Sequence, residues 1–169
     1  MIFNRFCPGK EANQSMKTVG VVGAGVMGVG VCEDLLENGL SAVLVDLSEE
    51  VLENAKKQIR KGIRGRAMLG LRKGQEPVGK LLERLTVSTD LNVLAVADIV
   101  IENVTEDVAA KAPVYKELED VCSEDCLFIG NTSCIPIGEL ASFTKRPDKV
   151  IGIHFMNPVP LKKTVELIP

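Results

Sequence analysis

Three side chains in the last quarter of the chain could together remove a proton from an alcohol. His154, the only histidine, follows the apolar run Val150–Ile153, and an imidazole can accept a proton near neutral pH. Glu166 comes twelve residues later, and its carboxylate could orient the ring and stabilise the imidazolium. Ser133 offers a hydroxyl that could hold the oxygen of the alcohol. A lone histidine is more often a structural residue, so this interpretation depends on the elements that place the three side chains.

A glycine-rich turn near the start of the chain predicts a dinucleotide site. The stretch Thr18–Val22 indicates a buried strand, and Gly23, Gly25 and Gly28 follow it in the spacing G-x-G-x-x-G before a helical pattern. Gly23 allows a tight turn, Gly25 lets a pyrophosphate approach the backbone, and Gly28 lets the helix pack close to the sheet. The predicted cofactor contacts in this stretch are Gly23, Gly25, Val26, Met27 and Gly28.

The residue that ends the next strand favours NAD over NADP. A second apolar run, Ala42–Val45, ends at Asp46, which comes 18 residues after Gly28, near the ~20 expected for the acid that binds a ribose. Its carboxylate can accept hydrogen bonds from an adenosine 2′-hydroxyl and would repel a 2′-phosphate. No basic residue follows until Lys56. A base, its orienting acid and a serine beside a nicotinamide would carry out alcohol oxidation by hydride transfer.

Strands and helices alternate along the whole chain. The first helix should end at Asn38-Gly39, where glycine suits a left-handed cap. A second helix should be capped by Ser48. In it, the apolar residues Val51, Ala55, Ile59 and Ile63 predict the buried stripe. Further strands are predicted at Leu85–Ser88, Ile99–Glu102, Leu127–Gly130, Val150–Ile153 and Thr164–Ile168, with intervening helices at Val78–Arg84, from near Pro113 to Val121, and at Ile135–Ala141.

This alternation predicts an α/β fold of the Rossmann type, a doubly wound and mostly parallel sheet with helices on both faces. Ligands bind beyond the carboxyl ends of parallel strands. Polar residues that follow the strands, Glu102, Asn103, Glu106 and the segment 131–133, are therefore expected at the same edge as His154.

Composition indicates one globular domain and excludes several classes of function. The chain has 169 residues, a net charge of −3 and no Trp, which argues against a nucleic-acid-binding protein. No apolar run approaches the ~20 residues of a membrane span. Residues 1–15 are expected to be a poorly ordered leader before a domain of residues 16–169. Five cysteines and one histidine lack the pattern of a zinc site, so we expect no metal and reduced thiols in a cytoplasmic protein.

Half of the basic residues lie between Lys56 and Arg84. This window holds 10 of the 20 lysines and arginines, against only Glu76 and Glu83. Two interpretations remain open: a solvated helix face, or a surface that binds a polyanionic ligand.

Four segments, taken together, resemble the NAD-binding domain of the 3-hydroxyacyl-CoA dehydrogenase family. They are VGVVGAGVMGVGV, ADIVIENVTED, GNTSCIPIGEL and RPDKVIGIHFMNPVPLKKTVELI. The resemblance covers about residues 16–168. It implies an NAD-dependent oxidoreductase of fatty acid metabolism that converts the 3-hydroxyl of a thioester such as 3-hydroxybutyryl-CoA to a 3-oxo group.

The resemblance also assigns roles. His154 matches the family's catalytic base, Glu166 its partner, and Ser133 the residue that holds the substrate oxygen and contacts the cofactor. The positions that match the remainder of the family's cofactor site are Asp46, Glu106, Lys111 and Asn157. In the family, the helical pair after the second strand contacts CoA, which gives the basic window a candidate partner.

Some features depart from the family. Asn103 stands where Ala is usual, and Cys134 where a second Ser is common. The phrases ENVTE and HFMNPVPLKKTVE look most like relatives that act on an acyl carrier protein in polyketide extender-unit synthesis, so the substrate could be an acyl-CoA or an acyl-carrier-protein thioester. A non-catalytic NAD-binding or structural relative is the other alternative. In the family, a helical second domain completes the cleft and the homodimer. We do not expect it within residues 1–169, nor do we expect activity from the isolated domain.

Overall fold

The described residues of the computed structural model, 18–72, 74–162 and 164–168, contain one seven-stranded sheet. Its strands are β1 (Thr18–Val22), β2 (Ser41–Val45), β3 (Leu85–Ser88), β4 (Ile99–Glu102), β5 (Leu127–Asn131), β6 (Val150–Phe155) and β7 (Val165–Ile168). The order is β3-β2-β1-β4-β5-β6-β7, with β7 antiparallel to β6 and the other pairs parallel. The predicted Rossmann-type sheet is confirmed. The predicted leader, residues 1–15, lies outside the described residues.

Helices cover both faces of the sheet. They are α1 (Val26–Glu37), α2 (Glu49–Met68), α3 (Val78–Leu82), α4 (Val108–Val121) and α5 (Ile137–Ala141). Helices α1 and α2 contribute to one buried apolar cluster, and α4 and α5 to a second cluster on the other face. Because the order of the strands reverses between β1 and β4, the chain leaves their carboxyl ends toward α1 on one face and α4 on the other, which opens the crevice where such sheets bind ligands.

Two local signals behave as predicted. Ser48 caps α2, because its hydroxyl oxygen accepts a hydrogen bond from the Val51 amide at 3.3 Å. The chain leaves α1 through Gly39, whose φ of 85° is left-handed. Both signals depend on a few neighbouring residues, so they can be recognised without knowledge of the tertiary fold.

Three sequence-based details are wrong: the start of α4, the first residue of the buried stripe of α2 and the end of β6. Helix α4 begins at Val108 rather than near Pro113, because the Asp107 carboxylate caps it by accepting from the Ala109 amide at 2.6 Å. Val51 is 39% exposed, and Leu52 takes its place in the buried stripe of α2. A strict four-residue spacing drifts around a helix with 3.6 residues per turn, so the stripe keeps Ala55 and rotates away from Val51.

The end of β6 affects the candidate site directly. Strand β6 continues two residues beyond the predicted Ile153 and includes His154. The extension follows from β7, which pairs antiparallel with this end of β6 and places Glu166 opposite His154.

Candidate active site

A hydrogen-bonded line joins the three predicted catalytic side chains. The Nδ1 atom of His154 lies 2.7 Å from Oε2 of Glu166, and its Nε2 atom lies 3.1 Å from Oγ of Ser133. An ionised carboxylate can only accept a hydrogen bond, so a neutral ring in this position carries its proton on Nδ1 and presents the lone pair of Nε2. The ring is about one-third exposed, at 32%. It can therefore accept a proton from a hydroxyl group placed beside Ser133.

Glu106 holds the turn that presents Ser133. Its Oε1 atom accepts hydrogen bonds from the Thr132 hydroxyl at 2.5 Å, from the Ser133 amide at 2.6 Å and from the Cys134 amide at 3.3 Å. Partial burial opposes ionisation of Glu106, but the hydrogen bonds from Thr132 and Ser133 and the charge of Lys111 outweigh it and lower the pKa of this carboxyl group. Glu106 is therefore an anion that fixes the position of Ser133.

A buried ion pair lies behind Glu106. The ammonium group of Lys111 is 2.8 Å from each carboxylate oxygen of Glu102, and the two side chains are 0% and 1% exposed. Burial raises the pKa of Glu102 even though the charge of Lys111 acts in the opposite direction. Lys111 was predicted to line the cofactor site, but its side chain has no exposed surface. It reaches the site through its 3.6 Å contact with Glu106.

The glycine turn and Asp46 form one hydrogen-bonded unit. Gly23 has a φ of 95°, and its amide donates to the Val45 carbonyl at 2.8 Å. The two carboxylate oxygens of Asp46 accept hydrogen bonds from the amides of Ala24, at 2.8 Å, and Ser48, at 3.2 Å. Each oxygen keeps further acceptor capacity. Asp46 thus stays at the mouth of the turn and can still accept from a ribose hydroxyl.

The space beside Gly25 fits the phosphates of a dinucleotide. Gly25 is exposed, and no atom lies within 4 Å of the position that a Cβ would occupy there. It immediately precedes α1, whose first-turn amides have no acceptor within the helix and carry the positive end of its dipole. Val26, beside it, is 68% exposed.

A cavity of about 220 Å³ lies beside Ser133 and His154. Its lining residues come from α1 and from the ends of β4, β5 and β6: Met27, Asn103, Val104, Glu106, Asn131, Thr132, Ser133, His154 and Phe155. Of the predicted cofactor contacts, Asn157 and Val26 do not line this cavity but a neighbouring one of about 270 Å³. The sequence predicted that Glu102, Asn103, Asn131 and Thr132 lie at this edge of the sheet, but it assigned them no role. The buried ion pair of Glu102 had a signal in the sequence: Glu102 is an acid in an otherwise apolar strand, and Lys111 follows nine residues later.

Nine of the ten basic residues in the basic window are described. Lys56 pairs with Glu53 at 2.8 Å, Lys80 is exposed, and the other seven form two groups. Arg66, Arg72 and Arg84 form ion pairs with Glu33, Glu37 and Glu76. A stripe on the outer face of α2 is exposed instead, and no ion pair to it is found among the described residues. The members of this basic stripe are Lys57, Arg60, Lys61 and Arg64. Lys73 lies outside the described residues. The solvated-face and polyanion interpretations therefore apply to the stripe rather than to the whole window.

The described residues contain neither a cluster of metal ligands nor a membrane-spanning helix. In the described part of the chain, no group of three or more His, Cys, Asp or Glu side chains is arranged to hold a metal ion. Nor does any helix there have the length and apolar character needed to cross a bilayer. Four of the cysteines, Cys32, Cys122, Cys126 and Cys134, are free thiols.

Known proteins resemble this chain over most of its length. The family model described as the NAD binding domain of 3-hydroxyacyl-CoA dehydrogenase matches residues 18–169. A probable 3-hydroxybutyryl-CoA dehydrogenase of Bacillus subtilis strain 168 is 39% identical over 153 residues, which cover 90% of this chain and 53% of that protein. The human mitochondrial hydroxyacyl-coenzyme A dehydrogenase is 37% identical over 158 residues, with coverages of 90% and 50%.

Solved structures show the same relationship. The crystal structure of (S)-3-hydroxybutyryl-CoA dehydrogenase from Ralstonia eutropha superposes with a TM-score of 0.86 at 35% identity, over 90% of this chain and 54% of that one. The chain thus spans about half the length of the curated relatives that it matches.

Proposed function

Since the chain belongs to the 3-hydroxyacyl-CoA dehydrogenase family and carries its NAD-binding domain, we propose that the protein oxidises the 3-hydroxyl of an acyl-CoA thioester to a 3-oxo group, with NAD⁺ as the hydride acceptor. The observation that carries this proposal is the line from Glu166 through His154 to Ser133. The line ends in a cavity that Met27, from the first turn of α1, also lines.

Each side chain of the line has a distinct task in the proposed reaction. The lone pair of His154 Nε2 takes the proton of the 3-hydroxyl while Ser133 Oγ holds the same oxygen. Glu166 accepts a hydrogen bond from Nδ1–H, keeps the ring in the reactive tautomer and stabilises the imidazolium that forms. In the reverse reaction the imidazolium returns the proton to the 3-oxo oxygen.

We assign cofactor contacts to the residues around the turn and the cavity. Gly23, Gly25, Val26, Met27 and Gly28 would hold the pyrophosphate side, and Asp46 would accept from the adenosine ribose. Glu106, Ser133 and Asn157 would contact the remainder of the cofactor, with Lys111 supporting Glu106 from behind.

The basic stripe on α2 is our candidate for the phosphates of CoA. Its four exposed cations recur at helical spacing on the face opposite the buried stripe, so they present one positive surface to solvent. The double variant Arg60→Gln/Arg64→Gln should weaken binding of a CoA thioester and reduce its salt dependence. Lys116→Gln/Lys145→Gln removes the same charge from exposed positions elsewhere and should not. If the two double variants had equal effects on binding of the CoA thioester, the stripe would be interpreted as a solvated helix face.

The partner and the location are proposals of the same kind. The relatives are named for CoA thioesters, so a carrier-protein thioester is not favoured and serves here as a comparison substrate. A homodimer is proposed only for a protein that also has the second domain. A cytoplasmic location would keep the four thiols reduced; of the relatives, the human protein is mitochondrial, and cell fractionation distinguishes the two compartments.

Turnover tests the proposed activity. Oxidation of NADH by acetoacetyl-CoA, and by acetoacetyl carrier protein, is measured with the product of the complete coding sequence. Glu166→Gln and His154→Gln should lower kcat, the latter by roughly 10²–10⁴-fold as expected for loss of a general base. Glu139→Gln, an exposed glutamate on α5, is the control. A protein that binds NADH but turns over neither thioester would be a non-catalytic relative, and the enzyme proposal would be wrong.

A further inference from the structure

A second hydrogen-bonded line crosses the carboxyl edge of the sheet. The Asn103 amide of the main chain donates to the Val22 carbonyl at 2.7 Å. The side-chain amide of Asn131 then donates to Asn103 Oδ1 at 2.8 Å, and the Phe155 main-chain amide donates to Asn131 Oδ1 at 3.3 Å. Because β1, β4, β5 and β6 are neighbours in the sheet, this line, the amide ladder, joins four strand ends in sequence.

The orientation of both side-chain amides is determined from outside the ladder. The Phe155 N–H can only donate, so the atom of Asn131 that faces it must be the oxygen, and the Asn131 NH₂ group must face Asn103. The NH₂ group of Asn103 donates to the Ile101 carbonyl at 3.2 Å, which leaves its oxygen for Asn131. Only one arrangement satisfies all the groups.

The two ends of the ladder lie at the two halves of the candidate site. At one end, Val22 leads directly into Gly23, and a Cβ added to Gly23 would lie only 2.7 Å from the Asn103 carbonyl oxygen. At the other end, Phe155 follows His154. The ladder operates where the main-chain pairing of β5 with β6 has stopped, since the last paired residue of β5 is Asn131 itself.

We propose that Asn103 and Asn131 are positioning residues that hold the peptide after His154 at a fixed distance from the glycine turn, and thereby hold the base in line with the cofactor. This inference rests on the proposed function only for its catalytic consequence. The ladder contains neither Glu166 nor Ser133, so it restrains the backbone of His154 independently of the contacts to the ring.

The test compares Asn103→Ala with two matched variants. Asn103→Ala removes the acceptor for Asn131 but keeps the main-chain bond to Val22. Asn103→Asp has the same shape and still offers an oxygen to Asn131, but its second oxygen replaces the donor to the Ile101 carbonyl. Asn54→Ala removes an exposed asparagine of α2. Urea denaturation of each variant establishes that it is folded, and Asn103→Ser replaces the alanine variant if that one is not.

Two NMR measurements do not require turnover. Hydrogen exchange of the Phe155 amide should be about three- to tenfold faster in Asn103→Ala, the range expected for loss of one hydrogen bond. It should change less in Asn103→Asp and not at all in Asn54→Ala. His154 is the only histidine, so its ring ¹⁵N signals in an untagged protein are unambiguous. They should show one tautomer in the wild type and a second population in Asn103→Ala.

The kinetic measurement separates a positioning role from a purely stabilising one. In Asn103→Ala, kcat should fall about three- to tenfold while KM for NADH changes less than about twofold. Unchanged Phe155 exchange would overturn the ladder. Faster exchange of the Phe155 amide with unchanged ring signals and unchanged kcat would show that the amide ladder holds the backbone but does not position His154. That result would also overturn the proposal. A wild type that does not turn over refutes the proposed function instead, and the two NMR measurements still decide the ladder.

Discussion

Alanine at Gly25 and alanine at Gly28 should separate cofactor binding from stability of the fold. A Cβ at position 28 would overlap the Gly23 carbonyl oxygen and lie 3.1 Å from its carbon. That carbonyl belongs to a turn held by the bond from the Gly23 amide to Val45, so it cannot rotate away as a side chain could. A Cβ at position 25 meets nothing within 4 Å.

The expected size of each effect follows from these contacts. Overpacking against backbone costs about 3 kcal/mol, and alanine returns about 1 kcal/mol of helix propensity, so Gly28→Ala should lose roughly 2 kcal/mol and about 4–8 °C in Tm. Gly25 has φ −73° and ψ −168°, which alanine adopts without strain. Replacing Gly25 at the N-terminal cap of α1 costs about 0.5–1 kcal/mol. Alanine also lowers the entropy of the unfolded chain, which stabilises the folded state by a similar amount.

Urea denaturation with and without NADH measures both quantities. At 100 times its Kd, a ligand stabilises the fold by about 2.7 kcal/mol, and a tenfold weaker ligand at the same concentration by about 1.4 kcal/mol. Without NADH, Gly25→Ala should have wild-type stability. With NADH, it should be less stable than the wild type by at least the difference between these two values, about 1.3 kcal/mol, because the methyl group occupies the space through which the pyrophosphate approaches the α1 amides. Wild-type affinity for NADH in Gly25→Ala, or wild-type stability in Gly28→Ala, would refute the reasoning.

Three further predictions concern single contacts. Gly62→Ala should destabilise the fold by about 1–2 kcal/mol, because its Cβ would overlap the buried Glu33 carboxylate and displace it from its guanidinium partner. A Cβ at position 65 has no neighbour within 4 Å, so Gly65→Ala should stabilise the same helix by roughly 0.5–1 kcal/mol. Changes of the same sign in the free energy of unfolding of the two variants, measured by urea denaturation, would contradict this. The lowered pKa of Glu106 means that its stabilising contribution is complete above the ordinary glutamate pKa and is lost as the pH falls through the lowered value. Glu106→Gln should therefore flatten the decline of Tm below about pH 4, and an unchanged decline in thermal unfolding from pH 7 to pH 3 would assign it to other carboxyl groups. Asp46→Ala should bring the Kd values for NADH and NADPH closer together, and an unaltered ratio would show that Asp46 does not discriminate between them.

The sequence predicted the candidate site best where its parts are local. The glycine spacing, the strand before it and Asp46 after the next strand lie within 29 residues. Their meaning depends on short-range geometry that any strand–turn–helix–strand unit repeats. The contact between His154 and Glu166 was equally predictable, because the two strands that carry them are joined by a short proline-containing turn and have few ways to pair.

The boundaries failed where a side chain outside the local pattern decided them. Asp107 started α4 five residues before Pro113, which periodicity alone made the natural start. His154 became part of β6 only because β7 returned to pair with it. In each case a contact outside the predicted segment supplied the free energy that a local pattern cannot show.

By itself, the sequence determined the order of strands and helices, the glycine turn and the residue types at the carboxyl edge, because these follow from periodicity and from the φ and ψ preferences of single residues. Only the tertiary structure decided which of those residues meet. It buried Lys111 against Glu102, gave the Ser133 turn to Glu106, and joined Asn103 to Asn131 across neighbouring strands. The physical reason is that each such contact depends on strand order and register, which are set by the packing of the whole sheet.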